Sequence, residues 1–218
     1  MLRFRFLGFP VEVQPFFWLT MAMFGGGFSA TSAEDWRDVM LWVTAAFASV
    51  LIHELGHALT MRRYGEGAVR IVLYAFGGVA MSQSLARTRG RQIAISAAGP
   101  GLEIGAALLV HLVARAFGIE SEWLRAWVTF FVGVSLFWGV FNLIPIVPMD
   151  GGRILEAALG PARIRTTLTI SMVLAIAAGA ALFLLFGSLF GAIFMGMMAW
   201  SNWQQLNQGR SAPWTRVS

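Results

Sequence analysis

The stretch VMLWVTAAFASVLIHELGHALTM, residues 39–61, decides the reading of this chain. A helix that crosses a bilayer needs about 20 apolar residues at about 1.5 Å per residue, and this run is long enough. Its only ionisable side chains are His53, Glu54 and His57. Such groups are costly at membrane depth and mark function there. Positions i and i+4 of a helix share a face, so His53 and His57 can aim two imidazoles at one cation. Glu54 then stands beside the cation and can act on its bound water. Histidines merely packed in a bundle, with a buried glutamate, would leave three polar groups in hydrocarbon without partners.

Outward from this run the pattern repeats. Val13 to Ala33 carries no charge, and Gln92 to Ala114 carries only Glu103 and His111. Ala126 to Met149 is uncharged, as is Thr166 to Gly209, where Gly187-Ser188 offers a turn near the middle. The 218 residues are 57% hydrophobic and 12% charged, against roughly 45–50% and about 25% for soluble domains. That balance excludes a disordered chain and a simple soluble enzyme, and the lack of cysteine excludes a disulfide scaffold. The expectation is one all-α polytopic membrane domain over 1–218. Its six spans fall near 13–33, 39–61, 92–114, 126–146, 166–186 and 189–207, with a short β-hairpin at 69–82.

The arginines orient these spans. Arg3, Arg5, Arg62, Arg63, Arg70, Arg87, Arg89, Arg91, Arg153, Arg163, Arg165, Arg210 and Arg216 fall on one side; Arg37, Arg115 and Arg125 fall on the other. The positive-inside rule then puts both termini in the cytoplasm. Trp36, Trp42, Trp123 and Trp127 sit at outer span ends, and Trp200 and Trp203 at an inner one, as interfacial indoles do. The net charge of +5 does not signal nucleic acid, because the arginines cluster at loop ends without interleaved stacking aromatics. Arg3, Arg5 and Ala-Thr-Ser-Ala at 30–33 imitate a signal peptide, but the run is as long as a full span.

A catalytic zinc needs a third protein ligand to leave its fourth position open. His111 lies near the wrong end of its span. Asp150 lies on the correct side, after Pro145 and Pro148 and before Gly151-Gly152, where the fourth span must unwind. Glu103 is the rival, roughly 16 Å into its span at 1.5 Å per residue.

His53-Glu54-Leu55-Gly56-His57 inside a span, followed by Asn142-x-x-Pro145-x-x-Pro148-x-Asp150-Gly151-Gly152, resembles the site-2 protease family of intramembrane zinc metalloproteases. The resemblance covers nearly the whole chain and is to a minimal form, with room for neither a PDZ nor a CBS domain. Tyr74-Ala75-Phe76-Gly77-Gly78-Val79 resembles the family's membrane-dipping hairpin, and Asn202 and Gln205 also look familiar. Two departures stand out. Gly99-Pro100-Gly101-Leu102 is followed by Glu103 where the family often has Asn, and Ala75 stands where it often has Pro.

The resemblance implies one zinc per chain held by His53, His57 and Asp150, with Glu54 as catalytic base and Asn142 as oxyanion donor. The substrate would be a single-pass membrane protein, in the cell membrane of a prokaryote. Residues 69–76 alternate, with Val69, Ile71, Leu73 and Ala75 on one face, and Gly77-Gly78 suits a two-residue turn. An open edge there, around Phe76, Gly77, Gly78 and Val79, could hold unwound substrate as an added strand. His57 lies four residues from Met61, so cleavage and water entry are expected near the cytoplasmic side. Gly25-Gly26-Gly27 could bend the first span or let it pack closely. The competing readings are a divalent-metal transporter, which needs polar groups along a path, and an inactive scaffold.

Overall fold

The computed structural model describes residues 1–83 and 87–208; Arg210 and Arg216 of the topology reading lie outside them. The described parts of Met1–Ser84 and Ala98–Phe141 form one compact unit, and those of Leu85–Ala97 and Asn142–Ser218 a second. The architecture is mostly helical, but it carries a sheet where the sequence suggests a single hairpin.

The first unit opens with β1 (Leu2–Phe6), β2 (Phe9–Val13), α1 (Pro15–Phe24) and α2 (Ala33–Arg63). It continues with β3 (Arg70–Tyr74), β4 (Gly77–Met81), most of α3 (Arg89–Phe117) and α4 (Glu122–Asn142) as far as Phe141. The sheet runs β1-β2-β3-β4, with β2 and β3 parallel and the outer pairs antiparallel. Leu7 and Gly8, both at positive φ, make the tight β1–β2 turn. Alternation sets the faces: Phe9, Val11, Val13, Ile71 and Leu73 are buried, while Arg3, Arg5 and Arg70 are exposed. The expected single hairpin is corrected here to a four-stranded sheet, because Arg3 and Arg5 interleaved with apolar residues mask β1 in the sequence.

A second correction concerns the turn at residues 75–76. Tyr74 pairs with Gly77 and Leu73 with Gly78, so both glycines lie inside β4 and Ala75-Phe76 form the turn. Residues 13–33 are helical over only part of their length. Helix α1 has ten residues, about 15 Å at 1.5 Å per residue, half of a hydrocarbon core about 30 Å thick. It stops at Gly25, where an added Cβ would stand 2.5 Å from Trp42 Cδ1. Of the two readings of Gly25-Gly26-Gly27, close packing therefore applies to Gly25. Helix α2 begins on a capping box between Ser32 and Asp35 and ends on Arg62 and Arg63, both favourable to its dipole.

The second unit holds α5 (Asp150–Leu159), a 3-10 turn at Pro161–Arg163, α6 (Ile164–Phe186) and α7 (Leu189–Asn207). Gly187, at φ 64, ends α6, and Ser188 caps α7 by accepting from Gly191 N at 3.1 Å. The expected span 126–146 is helical only to Asn142, and residues 143–149 leave the helix. Among the described residues, four helices are long and apolar enough to cross a membrane: Ala33–Arg63, Arg89–Phe117, Glu122–Asn142 and Pro161–Phe186. Helix α7 falls short because its end, with Asn202, Gln204 and Gln205, is polar.

Candidate metal centre

The motif sits where α2 is buried on most of its circumference. His53, Glu54 and His57 are all buried, as are Leu55, Gly56 and Ala58 around them. One helical turn separates the two histidines, and their Nε2 atoms approach to 3.0 Å. Two nitrogen ligands on a tetrahedral zinc, each at about 2.05 Å, would stand about 3.3 Å apart. The pair is thus within a few tenths of an ångström of a chelating geometry. The donor chemistry also fits, since imidazole suits zinc.

Glycines make the centre possible by letting backbone approach it. A Cβ on Gly56 would stand 2.7 Å from the Ala98 carbonyl carbon, so α2 and α3 touch main chain to main chain. A Cβ on Gly99 would stand 2.5 Å from His57 Cε1, and one on Gly78 would stand 2.7 Å from Glu54 Oε1. Gly78 thus brings β4 against the glutamate. The strand's other sequence-expected residues are Gly77, which is buried, and Val79, which is partly buried; Phe76 is 49% exposed at the turn.

Glu103 is fully buried on α3. Its Oε2 lies 2.8 Å from His53 Nδ1, and its Oε1 accepts from Ser49 Oγ at 2.6 Å. Ser49 Oγ in turn accepts from Ser135 Oγ of α4 at 2.9 Å. The carboxylate of Glu103, the rival ligand of the sequence reading, faces the back of His53, on the ring nitrogen opposite the one that meets His57. Ser49 and Ser135 went unnoticed in the sequence. Their signal was a hydroxyl in an otherwise apolar span, which is weak because serine also serves plain helix packing. His111 is exposed on α3, eight positions beyond Glu103.

In the second unit Asp150 is the first residue of α5, and Asn142 the last of α4. The intervening loop is clamped from two helices. Ser171 Oγ of α6 accepts from Val147 N at 3.1 Å and donates to Pro145 O at 3.3 Å. Asn202 Nδ2 of α7 donates to Val147 O and Met198 O, both at 2.8 Å. Gly151 and Gly152 lie against the loop's own backbone, where Cβ atoms would stand 2.5 Å from Ile144 O and Ile146 O. Asn202, which only looked familiar in the sequence, is thus fully buried and holds this loop.

The model of peptidase family M50 matches residues 118–187, which contain the Asn142 to Gly152 loop. A zinc metalloprotease of Methanocaldococcus jannaschii is 33% identical over 156 residues, 72% of this chain and 44% of the relative. The solved structure of the site-2 protease from Methanocaldococcus jannaschii superposes with a TM-score of 0.65 at 26% identity, covering 94% of each chain. The chain belongs to the site-2 protease family. Also similar is stage IV sporulation protein FB of Bacillus subtilis, 30% identical over 146 residues, 66% of this chain and 46% of that protein. This site-2 protease family chain spans a little under half the length of those two curated relatives.

Proposed function

We propose that this chain is an intramembrane zinc endopeptidase that cuts membrane-protein substrates in or near their transmembrane segments. The observation that carries the reading is the buried His53–His57 pair, with Nε2 atoms 3.0 Å apart and Glu54 beside it. Asp150 would complete the ligand set, placed at the start of α5 by the clamped loop. Bound there, zinc would supply a Lewis acid able to polarise a peptide carbonyl and acidify water at neutral pH.

The chain's own residues do the rest. Glu54 takes the proton of the attacking water and returns it to the leaving amine. Asn142 offers a side-chain amide to the oxygen on which charge develops. β4 is an edge strand whose Gly78 adjoins Glu54. It would accept an unwound substrate segment as an additional strand and hold its amide extended beside the base. Because a bare strand edge is not tolerated in lipid, this edge must line a protein cavity.

The same reading keeps six crossings, with residues 13–33 crossing as α1 plus irregular chain. It also keeps both termini in the cytoplasm of a prokaryotic cell membrane, and cleavage near that side. The test is a co-expressed single-span reporter. Wild-type chain should release the cleaved fragment, and removing zinc with a chelator should stop it. Glu54→Gln should not cut. Normal cutting by Glu54→Gln removes the mechanism, and stoichiometric zinc with full activity in Asp150→Ala removes Asp150 as third ligand.

A further inference from the structure

Of the buried acids that the proposed chemistry does not use, Glu103 is the most completely enclosed among the described residues. Glu103 has no exposed surface and lies on a helix apolar enough to cross a membrane. A carboxylate there is expensive unless donors surround it. Each oxygen has its own partner: Ser49 Oγ at 2.6 Å on Oε1, and His53 Nδ1 at 2.8 Å on Oε2. Gly139 of α4 leaves room for the carboxylate, since an added Cβ would stand 3.3 Å from Oε2 and 2.6 Å from Ile104 Cγ1.

We propose that Glu103 is a positioning residue for His53, and that Ser49 and Ser135 lock it in place. The inference rests on the zinc reading above. A carboxylate only accepts hydrogen bonds, so its contact puts a proton on His53 Nδ1. The neutral ring then carries its lone pair on Nε2, the atom that faces His57. The contact also stops the ring from rotating about its own axis. Ser49 has one proton and gives it to Glu103, so it can only accept from Ser135. The direction of donation is therefore fixed along the whole relay, from α4 through α2 to the carboxylate on α3. A side-chain amide at position 103 would lack this property, because it presents both a donor and an acceptor and dictates no tautomer.

The experiment uses the full chain in detergent. Zinc affinity is measured by competition with a chromogenic chelator, alongside thermal unfolding of the metal-free protein. Glu103→Gln should weaken zinc 10- to 100-fold, the usual cost of losing a partner behind a ligating histidine. Ser49→Ala, which touches only Oε1, should cause a smaller loss in the same direction. In the metal-free protein, 15N shifts should show His53 protonated on Nδ1 in the wild type and a mixed tautomer in Glu103→Gln.

Wild-type zinc affinity in Glu103→Gln overturns the proposal. So does a loss that disappears once affinity is referred to the folded fraction, which marks a purely structural role. The two readings fail separately. Cleavage by Glu54→Gln sinks the proposed catalysis and leaves the zinc comparison intact, whereas tight zinc in Glu103→Gln sinks the positioning role alone.

Discussion

The two units hold their candidate functional groups by opposite means. In the first, His53, Glu54 and His57 ride on a long helix, and precision comes from contacts to that helix: backbone at Gly56 and Gly99, strand at Gly78, and a side-chain relay through Glu103. In the second, Asp150 follows a loop with no regular structure, and precision comes from hydrogen bonds to the loop's own backbone from Ser171 and Asn202. A helix supplies its own backbone partners and needs only close neighbours. A proline-broken loop has orphaned amides and carbonyls that must be answered by side chains. The helix-borne groups should therefore respond to added bulk, and the loop-borne group to lost hydrogen bonds.

The largest effect should come from neither device. Glu54→Gln removes the base itself, and cleavage of the reporter should fall about 10²- to 10⁴-fold while zinc content stays unchanged. Zinc lost together with activity would show that the glutamate belongs to the binding set instead. Next, Gly56→Val forces a side chain into the main chain of α3. Overpacking of this kind costs about 1–3 kcal/mol or more, read as a lower unfolding midpoint. Unchanged stability would show that the helix contact is looser than the glycine implies.

On the loop side, Asn202→Ala takes away the donor to Val147 O. Leaving this part-buried acceptor unmet costs at most about 1–3 kcal/mol. Zinc affinity should weaken too, since the loop precedes Asp150; an intact affinity would separate loop order from ligand placement. The smallest change expected is Ser135→Ala, at about 0.5–1.5 kcal/mol, because Ser49 keeps its own bond to Glu103. A shift in midpoint larger than that of Asn202→Ala would reverse the contrast between the two units.

Much of the centre was legible because its chemistry is written at fixed helical spacing: His53, Glu54 and His57 need only the i, i+4 rule. The unwinding after Asn142 was legible from Pro145 and Pro148, which cannot continue a helix. The sheet was less so. Residues 70–74 announced a strand by alternation, but residues 2–6 interleave Arg3 and Arg5 with apolar side chains, and their charges were absorbed into the topology argument. The role of Glu103 was not legible, because depth along a helix gives distance from the membrane surface and not the direction in which a side chain points. Gly78 was misplaced for a related reason: a glycine pair suits a turn, but here it serves the approach of a strand to a carboxylate.

The parallel pairing of β2 with β3 carries a consequence for biosynthesis. Val11 pairs with Ile71 and Val13 with Leu73, so the sheet closes only after α1 and α2 have been made. Domains assemble roughly in the order in which the ribosome delivers them. The β1–β2 hairpin, a local structure, can therefore form early, but it must wait with one edge of β2 unmet until β3 arrives. During that wait it is a ready template for pairing with another chain. Nascent chains halted before Arg70 would expose that edge, and the arginines on alternate positions of β1 would be their main defence against sticking together.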